Sequence, residues 1–164
     1  MRKIAFVMGS ASDLGVLEKG IALVKEFGVG FEVRVLSAHR TPGEAALFAE
    51  NAEADGFGVI IAAAGKAAHL AGAMAAGTII PVIGVPVKTA TGGLDALLST
   101  VQMPAGVPVA TVAVDGGENA AILALEIIAL TEKEVRNKLL KHREELKNRS
   151  LENDSQISAK FKNF

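Results

Sequence analysis

Apolar positions along the chain recur in two rhythms that replace each other in turn. Residues 3–8 (KIAFVM) form a short apolar run closed by Gly9 and Ser10. Leu14, Leu17, Ile21 and Val24 then recur at the spacing of one helix face, until Gly28 and Gly30 end the pattern. A strand, a loop and a helix are predicted. Residues 31–36 (FEVRVL) alternate apolar and charged as a strand does, and Thr41-Pro42-Gly43-Glu44 has the spacing of a capping box with proline at the first helical position. Residues 57–62, rich in β-branched side chains, predict a third strand, residues 67–76 an alanine-rich helix closed by Gly77, and residues 79–85 a fourth strand. Residues 88–93 (KTATGG) read as a loop and 94–101 as a short helix. Residues 108–114 (PVATVAV) read as a fifth strand, and Gly116-Gly117 lead into a helix through Leu130. Thr131-Glu132-Lys133-Glu134 is a second capping box, opening a charged helix to about Arg149 that precedes a polar tail, 150–164.

Near-continuous apolar strands, each followed by a helix, imply a parallel sheet covered on both faces, because right-handed crossovers place helices there. The fold class is a three-layer α/β/α sandwich with a C-terminal extension helix. Residues 1–130 make one α/β unit, and 131–164 are expected to pack on a neighbouring subunit or to fray. Hydrophobic residues are 50% of the chain but aromatics only 4%, so the core is built from Ala, Val, Ile and Leu, and 17 glycines predict close approaches between elements.

Lys and Arg number 17 against 18 Asp and Glu, which leaves no broad basic footprint and excludes nucleic acid as the expected partner. The absence of cysteine excludes a disulfide framework, a Cys-based zinc site and a thiol nucleophile, and fits a reducing cytoplasm. The uncharged stretch 67–87 holds His69, Pro81, Pro86 and several glycines, so it reads as a buried helix and strand and not as a membrane span. Glycine and polar residues interrupt the N-terminal apolar run too early for a signal peptide, and no membrane partner is expected.

In open parallel sheets ligands bind beyond the carboxyl ends of the strands, where helix N-termini favour anions. Three loops there carry chemistry: 9–13 (GSASD), 37–42 (SAHRTP) and 63–69 (AAGKAAH). The serine-rich turn can cradle a phosphate while Asp13 accepts bonds from ribose hydroxyls; equally, Ser12 or Asp13 can simply cap the helix from Leu14. Arg40 can grip phosphate bidentately and His39 is a residue type that titrates near neutrality, although Arg40 alone also fits a surface ion pair. His69, among alanines, fits a hydrogen-bonded core residue as well as a site group. Lys66 can snorkel to solvent, and His142 reads as part of a solvated helix face. A response-regulator receiver is excluded, because the acidic cluster after the first strand and the acceptor Asp after the third are missing.

These loops carry a resemblance. Met8-Gly9-Ser10-Ala11-Ser12-Asp13, Ser37-Ala38-His39-Arg40-Thr41-Pro42 and Ala67-Ala68-His69-Leu70 match motifs of the PurE family, the carboxyaminoimidazole ribonucleotide mutases of purine biosynthesis. Pro81-Val82-Ile83-Gly84-Val85-Pro86-Val87, Gly93-Leu94-Asp95, Val101-Gln102-Met103-Pro104 and Gly106-Val107-Pro108-Val109-Ala110 follow in the same order, so the chain resembles the family from Lys3 to Leu130. The resemblance implies a flavodoxin-like fold, a cytoplasmic homo-octamer with active sites between subunits, and no metal or organic cofactor. It implies transfer of a carboxylate from the exocyclic nitrogen of N5-carboxyaminoimidazole ribonucleotide (N5-CAIR) to ring carbon C4, giving 4-carboxyaminoimidazole ribonucleotide (CAIR). A transient contact with the synthetase that supplies this labile substrate is also expected. By the same resemblance His39 is the general acid–base and Ser10, Asp13 and Arg40 bind substrate. Ser12 and Ser37 lie around phosphate and ribose, and Ala64, Gly65 and His69 line the carboxylate and CO2 pocket.

Two departures stand out. Where the family reads GAGGAAH, this chain has Ala63-Ala64-Gly65-Lys66-Ala67-Ala68-His69, placing a lysine beside the CO2 pocket. Pointing inward, Lys66 can pair with the carboxylate and counts among the substrate-binding candidates; pointing outward it changes little, provided the backbone there does not need a positive φ. The loop 88–93 is also one residue shorter than usual. Two other readings stay open. One is the carboxylase branch using CO2 directly, which ranks lower because it carries lysine after the histidine of SAHR and a serine–asparagine pair where Ala67-Ala68 stand here. The other is a non-catalytic nucleotide-binding module, motivated by Lys66 and the short loop.

Overall fold

Successive side chains of the central strands face two separate cores. In the computed structural model, which describes residues 1–162, β1 (Lys3–Met8) sends Ile4, Phe6 and Met8 to one face of the sheet and Ala5 and Val7 to the other. β3 (Phe57–Gly65) does the same with Val59, Ile61 and Ala63 against Ile60 and Ala62. Burial on both faces is the reason these strands are apolar throughout. Helices α1 (Leu14–Glu26) and α5 (Gly117–Ile128) cover the first face, and α2 (Pro42–Asn51) and α3 (Leu70–Ala76) the second. α4 (Leu94–Val101) joins the second face, since a Cβ on Gly84 would run into the Thr100 methyl and lie 3.3 Å from Ala71.

With β2 (Phe31–Val35), β4 (Val82–Val87) and β5 (Ala110–Thr111), the sheet is wholly parallel in the order β2-β1-β3-β4-β5, the flavodoxin-like arrangement. α6 (Lys133–Lys160) follows and inserts Val135 and Leu139 into the first core. No described helix is long and apolar enough to cross a membrane.

Several element boundaries differ from the sequence expectation. The fourth strand begins at Val82 and not Ile79: Ile79 is 90% exposed, and Pro81, which has no N–H to give, only accepts a bond from Ile60 N. It runs through Pro86, which is tolerated because β5 pairs only with Ile83 and Gly84 and leaves no ladder acceptor facing the proline nitrogen. That edge strand shrinks from seven expected residues to two, having no neighbour on its outer side. β3 runs on to Gly65, and α3 starts only at Leu70, so residues 66–69 are loop.

Neither expected capping box forms. Thr41 does precede Pro42, but its hydroxyl turns back, accepting from Ser37 N at 2.9 Å and donating to Ser37 O at 3.2 Å. At α6 the cap is Glu132, while the Thr131 hydroxyl donates to Ile128 O. The last helix continues past Arg149 to Lys160 in place of the expected polar tail, of which 163–164 lie outside the described residues. His142 is half-buried with its ring edge to face with Phe27, 6.1 Å between centroids, and so is not on a fully solvated face.

Candidate active site

Strand register sets the site. Met8, the last residue of β1, pairs with Val35, the last of β2, and with Ala63, two residues before the end of β3, so the three strands finish close together at their carboxyl edge. The turn 9–13 and the loops after β2 and β3 rise together from that edge, at the point where the chain winds outward in opposite directions from β1. Between them is a cleft of about 410 Å³. Ser10, Ser12, Asp13, Ser37, His39 and Arg40 line it from the first two loops, and Ala64, Gly65, Lys66 and His69 from the end of β3 and the loop that follows. All ten sequence candidates therefore stand on one cavity, the placement expected for ligands in such sheets. Thr89 and Leu70 also line it and were not singled out from the sequence. For Thr89 the available signal was its place in the polar loop that follows the fourth strand.

The turn after β1 is built by its own side chains. Ser10 N donates to Asp13 Oδ2 at 3.2 Å, Ser12 N donates to Ser10 Oγ at 3.4 Å, and the two serine hydroxyls are 2.9 Å apart. Ser10 and Asp13 thus cap the single 3-10 turn Ala11–Asp13, whereas α1 itself receives no side-chain cap from Asp13. Burial pushes the Asp13 carboxyl above its ordinary value, opposed by the Ser10 N–H, the Ser12 hydroxyl and the positive charge of Arg40.

In the second loop one hydroxyl organises the backbone. Ser37 Oγ accepts from Arg40 N at 3.1 Å and more distantly from His39 N and Arg40 Nε, both at 3.4 Å. Arg40 Nη2 donates to Gly9 O at 2.5 Å, so the guanidinium ties this loop to the serine turn, and Nη1 has no partner among the described residues. Arg40 is therefore a cleft residue and not half of a surface ion pair.

The third loop supplies the partner of His39. His39 Nε2 lies 2.8 Å from His69 Nδ1, with the rings edge to face. Which of these nitrogens donates and which accepts follows from the tautomers of the two rings. His69 is exposed, which removes the core reading. A Cβ on Gly65 would lie 2.8 Å from Thr89 Cγ2, so a larger residue there displaces the Thr89 side chain. Lys66 has φ 59°, the left-handed conformation that its proviso named, and its chain lines the cleft. Thr89 is steadied in turn: its hydroxyl donates to Asp95, and Lys88 N donates to Asp115 Oδ1 at 2.8 Å. The Thr91 hydroxyl beside Asp95 holds that carboxyl below its ordinary value.

The arrangement suits an anion. Arg40 and Lys66 face a cleft whose lining includes one carboxylate, Asp13, although the whole chain has a net charge of -1. Among the described residues no group of three or more His, Cys, Asp or Glu is placed to hold a metal ion.

Comparison with known proteins agrees with this geometry. The family model described as AIR carboxylase matches residues 3–149. The N5-carboxyaminoimidazole ribonucleotide mutase of Methanocaldococcus jannaschii is 54% identical over 159 residues, covering 97% of this chain and 99% of that protein. The protein of the same name from Pyrococcus abyssi is 53% identical over 90% of this chain and 85% of its own. The crystal structure of Treponema denticola PurE superposes with a TM-score of 0.85 at 29% identity, covering 94% of this chain and 97% of that one. Fold, cleft and extended sequence identity coincide, and the chain belongs to the AIR carboxylase family.

Proposed function

We propose that this chain is an N5-carboxyaminoimidazole ribonucleotide mutase, an isomerase of purine biosynthesis. The observation that carries the reading is the convergence on one cleft of a serine-rich turn, Arg40, a hydrogen-bonded histidine pair and the small residues Ala64 and Gly65. The relatives of about half identity bear the same activity in their names. Ser10, Ser12, Asp13, Ser37 and Arg40 hold the phosphate and ribose. Ala64, Gly65 and His69 form the pocket for the carboxylate and the CO2 it becomes, with Lys66 at its edge.

The chemistry follows from these positions. The bond from the exocyclic nitrogen to the carboxylate breaks, releasing CO2 into the pocket while His39 returns a proton to nitrogen. Ring carbon C4 then attacks CO2, and His39 removes the C4 proton, so the step begins and ends with the same proton count. Hydrogen bonding to His69 orients the His39 ring for both transfers. Small side chains let the walls close on CO2, replacing an encounter in solution by an oriented one.

In this reading residues 1–130 form the catalytic unit and α6 belongs to the contact between chains of a cytoplasmic homo-octamer, which takes its labile substrate from a synthetase. The test offers the purified protein N5-CAIR in one reaction and aminoimidazole ribonucleotide (AIR) with bicarbonate in another. Rapid turnover of the first alone is expected; turnover of the second identifies a carboxylase, and tight nucleotide binding without turnover of either identifies a binding module. His39→Asn is expected to retain substrate affinity while losing at least about a hundredfold in kcat, the size of a general acid–base contribution. A variant turning over at the wild-type rate overturns the role of His39.

A further inference from the structure

We propose that Lys66 is the affinity-determining cation of this cleft: it pairs with the carboxylate of substrate and product and contributes nothing to the bond-breaking step. The inference rests on the mutase reading and assigns a role to a residue that departs from the family pattern.

The backbone points to Lys66 first. Lys66 and Asp115 are the non-glycine residues with positive φ among those described, at 59° and 57°. A side chain in this region costs roughly 1–2 kcal/mol relative to the ordinary helical conformation. Asp115 has a local return for that cost, because its carboxylate accepts the Lys88 N–H. Lys66 has none: it makes no hydrogen bond or ion pair to another described residue. Strain without a structural return clusters at ligand sites.

Position says which ligand group it serves. Two cationic side chains line the cleft, and a carboxylated ribonucleotide carries two anionic groups. Arg40 is bound into the serine turn through Gly9 O and stands where phosphate is cradled. Lys66 lines the cleft from the third loop, the loop that also carries His69, the hydrogen-bond partner of His39. That is the end of the cleft where the proton moves, and hence where the migrating carboxylate must lie.

Chemistry then sets the kinetic signature. The carboxylate is charged in N5-CAIR and in CAIR, but the CO2 between them is neutral. An ion pair to Lys66 therefore stabilises both end states and is lost as the first bond breaks. Binding held in the ground state and lost towards the transition state lowers KM and does not raise kcat, so its removal raises KM with kcat the same or higher.

Lys66→Asn is the informative variant, because asparagine tolerates the left-handed conformation while the charge is removed. KM for N5-CAIR should rise about tenfold, equivalent to about 1.4 kcal/mol, with kcat undiminished. In calorimetry the variant should bind CAIR more weakly by a similar factor and bind AIR, which has the phosphate but no carboxylate, as the wild type does. Lys66→Arg should restore tight CAIR binding, and Lys66→Gly should be at least as stable as wild type in thermal melts. Unchanged affinity for CAIR, equal losses for CAIR and AIR, or a fall in kcat at constant KM would each overturn the proposal. If the wild type fails to turn over N5-CAIR, the mutase reading falls, while the comparison of CAIR with AIR still decides whether Lys66 holds a carboxylate.

Discussion

Asp13 is a carboxylate kept in a place that penalises its charge. Burial raises its proton affinity more than the Ser10 N–H, the Ser12 hydroxyl and Arg40 lower it. A folded pKa above the unfolded one means that the native state binds the proton more tightly. The group's stabilisation is then complete below the unfolded pKa and is lost as pH rises through the folded one. Asp13→Asn keeps an oxygen for the Ser10 N–H and cannot ionise. Its melting temperature relative to wild type is expected to climb between about pH 3 and about pH 7, across the carboxylate range, when followed by calorimetry. A difference that stays constant over that range contradicts the burial effect. Capping of the helix from Leu14 and ligand binding were rival readings of Asp13 in the sequence; the carboxylate gives α1 no cap, and instead braces Ser10 in the preceding turn while lining the cleft.

Between elements the decisive contacts are glycines. A Cβ on Gly117 would run into the Val16 carbonyl oxygen, and one on Gly20 would lie 2.6 Å from Gly117 O, so α1 and α5 approach backbone to backbone. Neither side can yield without moving a helix. Gly117→Ala is expected to destabilise by about 3 kcal/mol, the upper end of ordinary overpacking, read from urea denaturation with an unchanged m-value. A loss below about 0.5 kcal/mol, the range of neutral surface changes, shows that the helices do not meet as described. The glycine count foretold close packing but not which pair of helices it served. The two capping boxes failed for a related reason: each threonine hydroxyl found a nearer backbone partner once the adjoining loop had folded.

At the scale of the molecule the outer half of α6 has no buried side chain, although Arg143 pairs with Glu126 of α5. Residues 143–162 are exposed throughout, including Leu146, Leu151 and Ile157, although Val135 and Leu139 of the same helix are buried. A polar helix of this length is marginal in water without packing. Burial by neighbouring chains is the simplest source of its stability and agrees with the proposed octamer. Sedimentation of the whole chain is expected to give eight copies of 16.9 kDa. A variant ending at Arg149 should keep the αβ body folded and sediment as smaller species on dilution. Octamers of equal stability from both would assign assembly to other surfaces.

Local patterning determined a good deal by itself. Apolar runs long enough to be buried on both sides specify strands of a parallel sheet, and runs at helical spacing specify the helices between them, because burial periodicity is a property of each segment. The motifs of the three loops were legible for the same reason, since each is contiguous. What joins segments was not. His39 and His69 are 30 positions apart and become hydrogen-bonded only because β2, β1 and β3 end in register. Thr89 reaches the cleft because β4 lies beside β3, with Val87 paired to Gly65 two residues before it. The left-handed backbone of Lys66 was recognisable as a question in the sequence and received its answer from the path between β3 and α3. Register, loop path and the face of each contact depend on the whole sheet, and tertiary structure alone decided them.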